Sequence, residues 1–131
     1  MKKTLLNYIK YSNPVWIAQR QFLIEKIEKI NAFCRAESTD KVLMLAMPQG
    51  SGKSYIANKL TEWLLGTFQA RKETRSLSVM RVCNTDSNVT KFQAAISNEI
   101  MGDAWSAVFG NHKLSNNNKN GMRFDGSWND N

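Results

Sequence analysis

Gly50, Ser51, Gly52, Lys53 and Ser54 follow one another inside the stretch VLMLAMPQGSGKSYIANKL, residues 42–60. Glycines leave no side chain in the way and take backbone angles closed to other residues, so backbone N–H groups can turn inward around an anion. A helix opening at Lys53 adds its unpaired first-turn N–H groups and the positive end of its dipole. Lys53 supplies a point charge for the β- and γ-phosphates of a nucleotide, and the Ser54 hydroxyl can complete the coordination of Mg²⁺. Gln49, Gly50, Ser51, Gly52, Lys53 and Ser54 are therefore the candidate nucleotide-binding residues, with Ser54 the candidate metal ligand. The bland reading is a glycine-rich turn with an incidental lysine. The order of apolar run, turn, Gly-Lys-Ser and amphipathic stretch favours phosphate. One departure stands out: Met47 occupies the place where the pattern G-x-x-x-x-G-K-[ST] has its first glycine. Pro48 fixes one dihedral there, and Gly50 supplies the freedom.

The elements around the loop follow from periodicity. Asn13 can cap, and Pro14 can open, an amphipathic helix over 14–36, with Leu23, Ile27, Ile30 and Cys34 at helical spacing. Glu25, Lys26, Glu28 and Lys29 fill its other face. Residues 42–47 read as a continuously apolar strand, as expected where both faces of a parallel sheet are covered. After the phosphate loop at 48–54, a helix over 53–65 carries Ile56, Leu60, Trp63 and Leu64 and ends near Gly66. A second strand at 77–83 is interrupted by Arg81, and a helix over 87–101 presents Val89, Phe92, Ile96 and Ile100. Residues 110–131 are asparagine-rich and read as a flexible segment, with GMRFDG a candidate short strand. This order implies an α/β fold, a P-loop NTPase-type parallel sheet flanked by helices. Two strands are too few for such a sheet to stand alone, so the expectation is an incomplete one, finished by more chain or by a partner.

Composition narrows the class further. The chain has 131 residues, enough for one domain, and its 42% apolar content can build a core. A net charge of +7 favours an anionic partner such as nucleic acid or nucleotide. Cys34 and Cys83 make neither a metal pattern nor a disulfide framework, which suits a reducing cytosol, and burial as small apolar groups is their simplest role. His112 is the sole histidine, too few for a histidine metal site. The opening MKKTLLNYIKYSN has no long apolar segment behind its lysines, so neither a signal peptide nor a membrane span is expected.

The loop apolar-Pro-x-Gly-Ser-Gly-Lys-Ser resembles two families. One is the DEAD-box-like helicases, with Pro-Thr-Gly-Ser-Gly-Lys-Thr. The other is the large terminase subunits of tailed bacteriophages, many of which read Met-Pro-Pro-Arg-x-Gly-Lys-Ser. Met47, Pro48, Gly52, Lys53 and Ser54 match that second pattern. The surroundings, over about 14–128, tilt the resemblance to terminase. A helix precedes the apolar strand, the following helix closes in Trp63 to Gly66, and Lys91-Phe92 and Phe109-Gly110 come in the family's order. The resemblance implies the ATP-binding part of a viral DNA-packaging motor, with ATP and Mg²⁺ as cofactors. It implies double-stranded DNA, a portal protein and a small terminase subunit as partners, a possible oligomeric ring, and the host cytoplasm as the place of work. It also implies a glutamine that reads adenine, for which Gln19 and Gln21 are both correctly placed; a solvated glutamine is the plain alternative. A helicase-like ATPase, a small-molecule kinase and a non-enzymatic remnant of such a loop are the alternatives.

Departures from the family are as informative. Gly50 stands where many terminases carry an arginine in the loop. No apolar run ending in Asp-Glu supplies a Walker B pair: Asp86 has no glutamate beside it, and Asp125 lies in a short polar stretch. Catalytic acids are therefore unassigned, and the family's nuclease domain does not fit in 131 residues. Arg71, Lys72, Arg75 and Lys91 can face DNA or simply water. Trp16, Trp63, Trp105 and Trp128 can stack on bases, but core packing is the simpler role for Trp63 and Trp105.

Overall fold

A computed structural model describes residues 4–35, 42–69, 79–110, 114–118 and 121–124. They fall into two compact units, Met1–Lys59 and Leu60–Asn131.

In the first unit, α1 (Leu5–Ser12) begins at Thr4, whose Oγ1 accepts from the Asn7 amide at 3.2 Å. Leu5, Tyr8 and Ile9, three and four residues apart, form its buried stripe. Asn13 then does two jobs. Its own amide donates to the Ile9 carbonyl, closing α1, and its Oδ1 accepts from the Trp16 amide at 3.2 Å, capping α2 (Pro14–Ala18). Pro14 sits in the first turn of α2, where its missing N–H costs nothing. A 3-10 turn (Gln21–Leu23) leads into α3 (Ile24–Cys34). Leu23, Ile27 and Ile30 are buried, and the Leu5 amide donates to Asn31 Oδ1 at 3.0 Å, tying α1 to α3. Glu25 and Lys29 form an exposed pair at 3.1 Å, worth about 0.3–0.5 kcal/mol at most.

The helix expected over 14–36 is thus broken at Arg20, whose φ of −133° and ψ of 47° leave the helical region. The periodicity survived the break because the 3-10 turn keeps Leu23 on the inner face. α1 was not anticipated at all: its eight residues, with Leu5, Tyr8 and Ile9 buried, carry too short a stripe to announce themselves.

α4 (Lys53–Leu64) spans the boundary between the units. On the first unit's side, Ile56 is buried, and so is Lys59, whose ammonium lies 5.5 Å from the Tyr8 ring and 5.4 Å from the Tyr55 ring. Two electron-rich faces offset part of the cost of taking that charge out of water.

In the second unit, the chain does not stop at Gly66 but widens into a π turn (Leu65–Gln69). Within that turn Gly66 packs against Phe109, whose ring a Cβ at this position would run into. α5 (Asp86–Ile100) is capped by Thr85, whose Oγ1 accepts from the Asn88 amide at 3.3 Å. It packs beside α6 (Asp103–Phe109), and Ile96, Ile100, Trp105, Val108 and Phe109 are buried. The Trp105 indole donates to the Glu62 carbonyl at 2.9 Å, so the largest ring of this core keeps its polar atom satisfied.

The described residues form no parallel sheet. Residues 42–47 join no ladder, and neither do 79–83; residues 77–78 of that expected strand lie outside the described ones. Among the described residues the only ladder is antiparallel, β1 (Leu114–Asn118) with β2 (Gly121–Phe124), inside the stretch expected to be flexible. The physical reason is exposure. Val42 is 78%, Met44 88%, Met80 87% and Val82 81% exposed. A continuously apolar run is expected where both faces are covered, yet these four side chains stand open to solvent. Parallel pairing is rewarded only when several strands bury both faces together. Among the described residues, no helix is long and apolar enough to cross a membrane.

Candidate functional site: the glycine loop and the Trp16 ring

Residues 48–54 build a tight turn that delivers the chain straight into α4. The Pro48 carbonyl accepts twice from Ser51, from its amide at 3.3 Å and from its Oγ at 2.6 Å. Between them Gly50 has φ of +79°, the value a type II turn requires at its third residue. Gly52 has φ of +99°, and its carbonyl accepts the first helical bond, from Ile56 at 3.0 Å. With glycine at this position no side-chain oxygen reaches back to the first turn. The amides of Lys53, Ser54 and Tyr55 accordingly meet no backbone acceptor among the described residues. They remain available as donors in the same turn as the exposed side chains of Lys53 and Ser54.

Lys53 folds back across this turn. Its Nζ donates to the carbonyl of Met47 at 3.5 Å, the residue that replaces the first glycine of the motif. The long bond is weak and the side chain exposed, so an anion in the turn can take the ammonium over.

One side of the loop is walled by an aromatic group from α2. The Trp16 ring lies so close that a Cβ on Gly52 would stand 2.5 Å from Cζ2. The same ring meets Tyr55, in the first turn of α4, with centroids 4.3 Å apart and planes tilted by 31°. Arg20 covers Trp16 with its guanidinium 4.8 Å from the ring centroid, and donates to the Trp16 carbonyl at 3.3 Å. The break in the expected helix therefore coincides with the residue that locks Trp16.

The other anticipated residues separate clearly. Gln49, Gly50, Ser51, Gly52, Lys53 and Ser54 are contiguous in the turn. Gln19 closes α2 and Gln21 opens the 3-10 turn, both exposed, on the segment that carries Trp16. Asp86 lies in the first turn of α5 rather than at the end of a strand. Lys91 is exposed on α5, whereas Arg71, Lys72, Arg75, His112, Asp125 and Trp128 lie outside the described residues. Trp63 and Trp105 are buried. Cys34 and Cys83 are both half-buried, and burial pushes the Cys34 thiol above its ordinary value of 9.0.

For Mg²⁺, Ser54 offers one exposed hydroxyl beside Lys53, and no group of three or more histidine, cysteine, aspartate or glutamate side chains gathers among the described residues. Such a site fits only an ion held mainly by phosphate oxygens and water, as magnesium commonly is. Sequence reasoning missed the Trp16 wall, because contact between residues 16 and 52 has no periodic signature. No protein-family model matches the chain, and no curated protein or solved structure matches it either.

Proposed function

We propose that this chain binds the polyphosphate of a nucleotide, ATP with Mg²⁺, on the turn formed by Gln49, Gly50, Ser51, Gly52, Lys53 and Ser54. The observation that carries the reading is the joint geometry of the two positive-φ glycines, the uncapped amides at the start of α4 and the lysine folded over them. These donors are all local to residues 47–55, so the chemistry does not depend on a parallel sheet. Lys53 would move from the Met47 carbonyl to the phosphates, and Ser54 would contribute one oxygen to the magnesium shell. Gln19 or Gln21 would read the adenine edge.

On the resemblance of the loop and its flanks, we place this binding step in a bacteriophage terminase large subunit. There, ATP hydrolysis drives double-stranded DNA into procapsids in the host cytoplasm, together with a portal protein and a small subunit, in an oligomeric ring when complete. Turnover needs acids that hold magnesium and activate water. No apolar run ending in an Asp-Glu pair supplies them, so the chain by itself is expected to bind ATP and to hydrolyse it slowly or not at all.

Titration of Mg-ATP by calorimetry tests the binding step. Lys53→Ala removes a charge-assisted donor worth roughly 1.5–3 kcal/mol and should weaken binding by about ten- to a hundredfold. Equal affinity in the wild type and Lys53→Ala proteins would overturn the phosphate reading. For the wider role, turnover stimulated by procapsids with duplex DNA supports packaging. Stimulation by single-stranded RNA points instead to the helicase-like alternative, and phosphoryl transfer to a small acceptor to a kinase.

A further inference from the structure

We propose that Trp16 is the positioning residue of the phosphate turn: its ring holds Gly52 and the first turn of α4 in the geometry that leaves their amides available as donors. The inference rests on the phosphate reading above and adds a residue that lies outside the motif.

Three observations converge on Trp16. First, its ring is in contact with the bare Cα side of Gly52, in the space a Cβ would need. Gly52 is thus required twice, by its φ of +99° and by the ring against it. Second, the ring also packs on Tyr55, so it touches residues on both sides of Lys53 and Ser54. Third, Trp16 is itself held from behind: its amide donates to Asn13, its carbonyl accepts from Arg20, and the Arg20 guanidinium lies over its face. A wall held at its amide, carbonyl and ring face has little freedom, and that stiffness passes to the turn it touches. Pre-set donors bind an anion without the cost of ordering the loop at the moment of binding.

This role makes Trp16 sensitive to what happens in the turn. A polyphosphate drawing Lys53 from the Met47 carbonyl changes the electrostatic surroundings of a ring in contact with the neighbouring glycine. Trp63 and Trp105, buried in the other unit, have no part in the proposal.

Fluorotryptophan-labelled full chain, followed by fluorine NMR during titration with inorganic tripolyphosphate and magnesium, tests the assignment. Trp16→Phe identifies the Trp16 line by its loss. The Trp16 line should shift on titration while those of Trp63 and Trp105 stay. Trp16→Ala should weaken tripolyphosphate more than about tenfold, the scale of misaiming one or two hydrogen bonds to a charged group, and Trp16→Phe should recover most of that loss. Thermal melts accompany each variant. Should Trp16→Ala fail to fold, the line shift in the wild type and the affinity of Trp16→Phe decide. A wild type that binds tripolyphosphate with no shift at Trp16, a folded Trp16→Ala that binds as tightly, or a folded Trp16→Phe as weak as Trp16→Ala overturns the positioning role and leaves the phosphate reading standing. A wild type that binds neither tripolyphosphate nor Mg-ATP overturns both.

Discussion

Gly50 and Gly52 look alike in the motif but carry different constraints. At Gly50 only the backbone angle demands glycine, because a Cβ would meet nothing within 4 Å. At Gly52 the angle and the Trp16 ring both forbid a side chain. Gly50→Ala should therefore cost about 1–2 kcal/mol, the penalty of a left-handed alanine. Gly52→Ala should cost more, since the ring must also move, and about 2–4 kcal/mol is expected from strain and overpacking together. Urea melts of the two variants check the order; equal costs would mean that the Trp16 contact places no constraint on residue 52. Lys53 belongs to the same scale. Its bond to Met47 shows that a residue departing from the motif still serves the turn, through a backbone carbonyl that any side chain leaves in place.

Elements here start where short polar side chains stop the backbone from going unpaired. Thr4, Asn13 and Thr85 each take an amide three residues on, and α1, α2 and α5 begin behind them. Asn13 matters most to the site, because the helix it caps carries Trp16. Thr85 offers the cleanest measurement, being exposed and in a different unit from the turn. Thr85→Ala should lower stability by about 1 kcal/mol, and Thr85→Ser by only a fraction of that. Loss of native helicity near α5 in Thr85→Ser as large as in Thr85→Ala, read by amide exchange, would show that the methyl group rather than the hydroxyl matters. The break between α2 and α3 belongs to this scale as well. Neither glycine nor proline marks it in the sequence. It is held by Arg20, which turns its guanidinium back onto Trp16.

At the scale of the whole chain, the decisive observation is that apolar segments do not always end up inside. Met44 and Met80 stand almost fully exposed, in the two runs that read as strands of a parallel sheet. Replacing either with lysine should change stability by no more than about 0.5 kcal/mol, as for ordinary surface positions. Were they buried in a sheet, the same change would cost several kcal/mol through an unpaired charge. A large loss of stability in Met44→Lys would restore a covered strand at 42–47. The charge of +7 acts at this scale too: it biases encounters with polyanions of any kind and says nothing about fold.

Local backbone geometry was legible in the residues themselves. Pro48 fixes one of its own backbone angles, and Gly50 and Gly52 open angles closed to other residues, so the turn could be read without knowing its neighbours, and Lys53 and Ser54 follow where the helix begins. The stripe of Leu23, Ile27 and Ile30 was legible for a similar reason, since the helical repeat places those side chains on one face. Pairing of strands is different, because it depends on what lies on the far side of each segment. Residues 42–47 and 79–83 are apolar enough for a sheet, yet nothing in their own composition says whether a partner is present. The same holds for Trp16. Its type and its distance of 36 positions from Gly52 carry no hint of contact, and only the tertiary path of α2 sets the ring against the turn. Backbone limits act within a residue and are written in the sequence; contacts between distant residues exist only once the chain has folded.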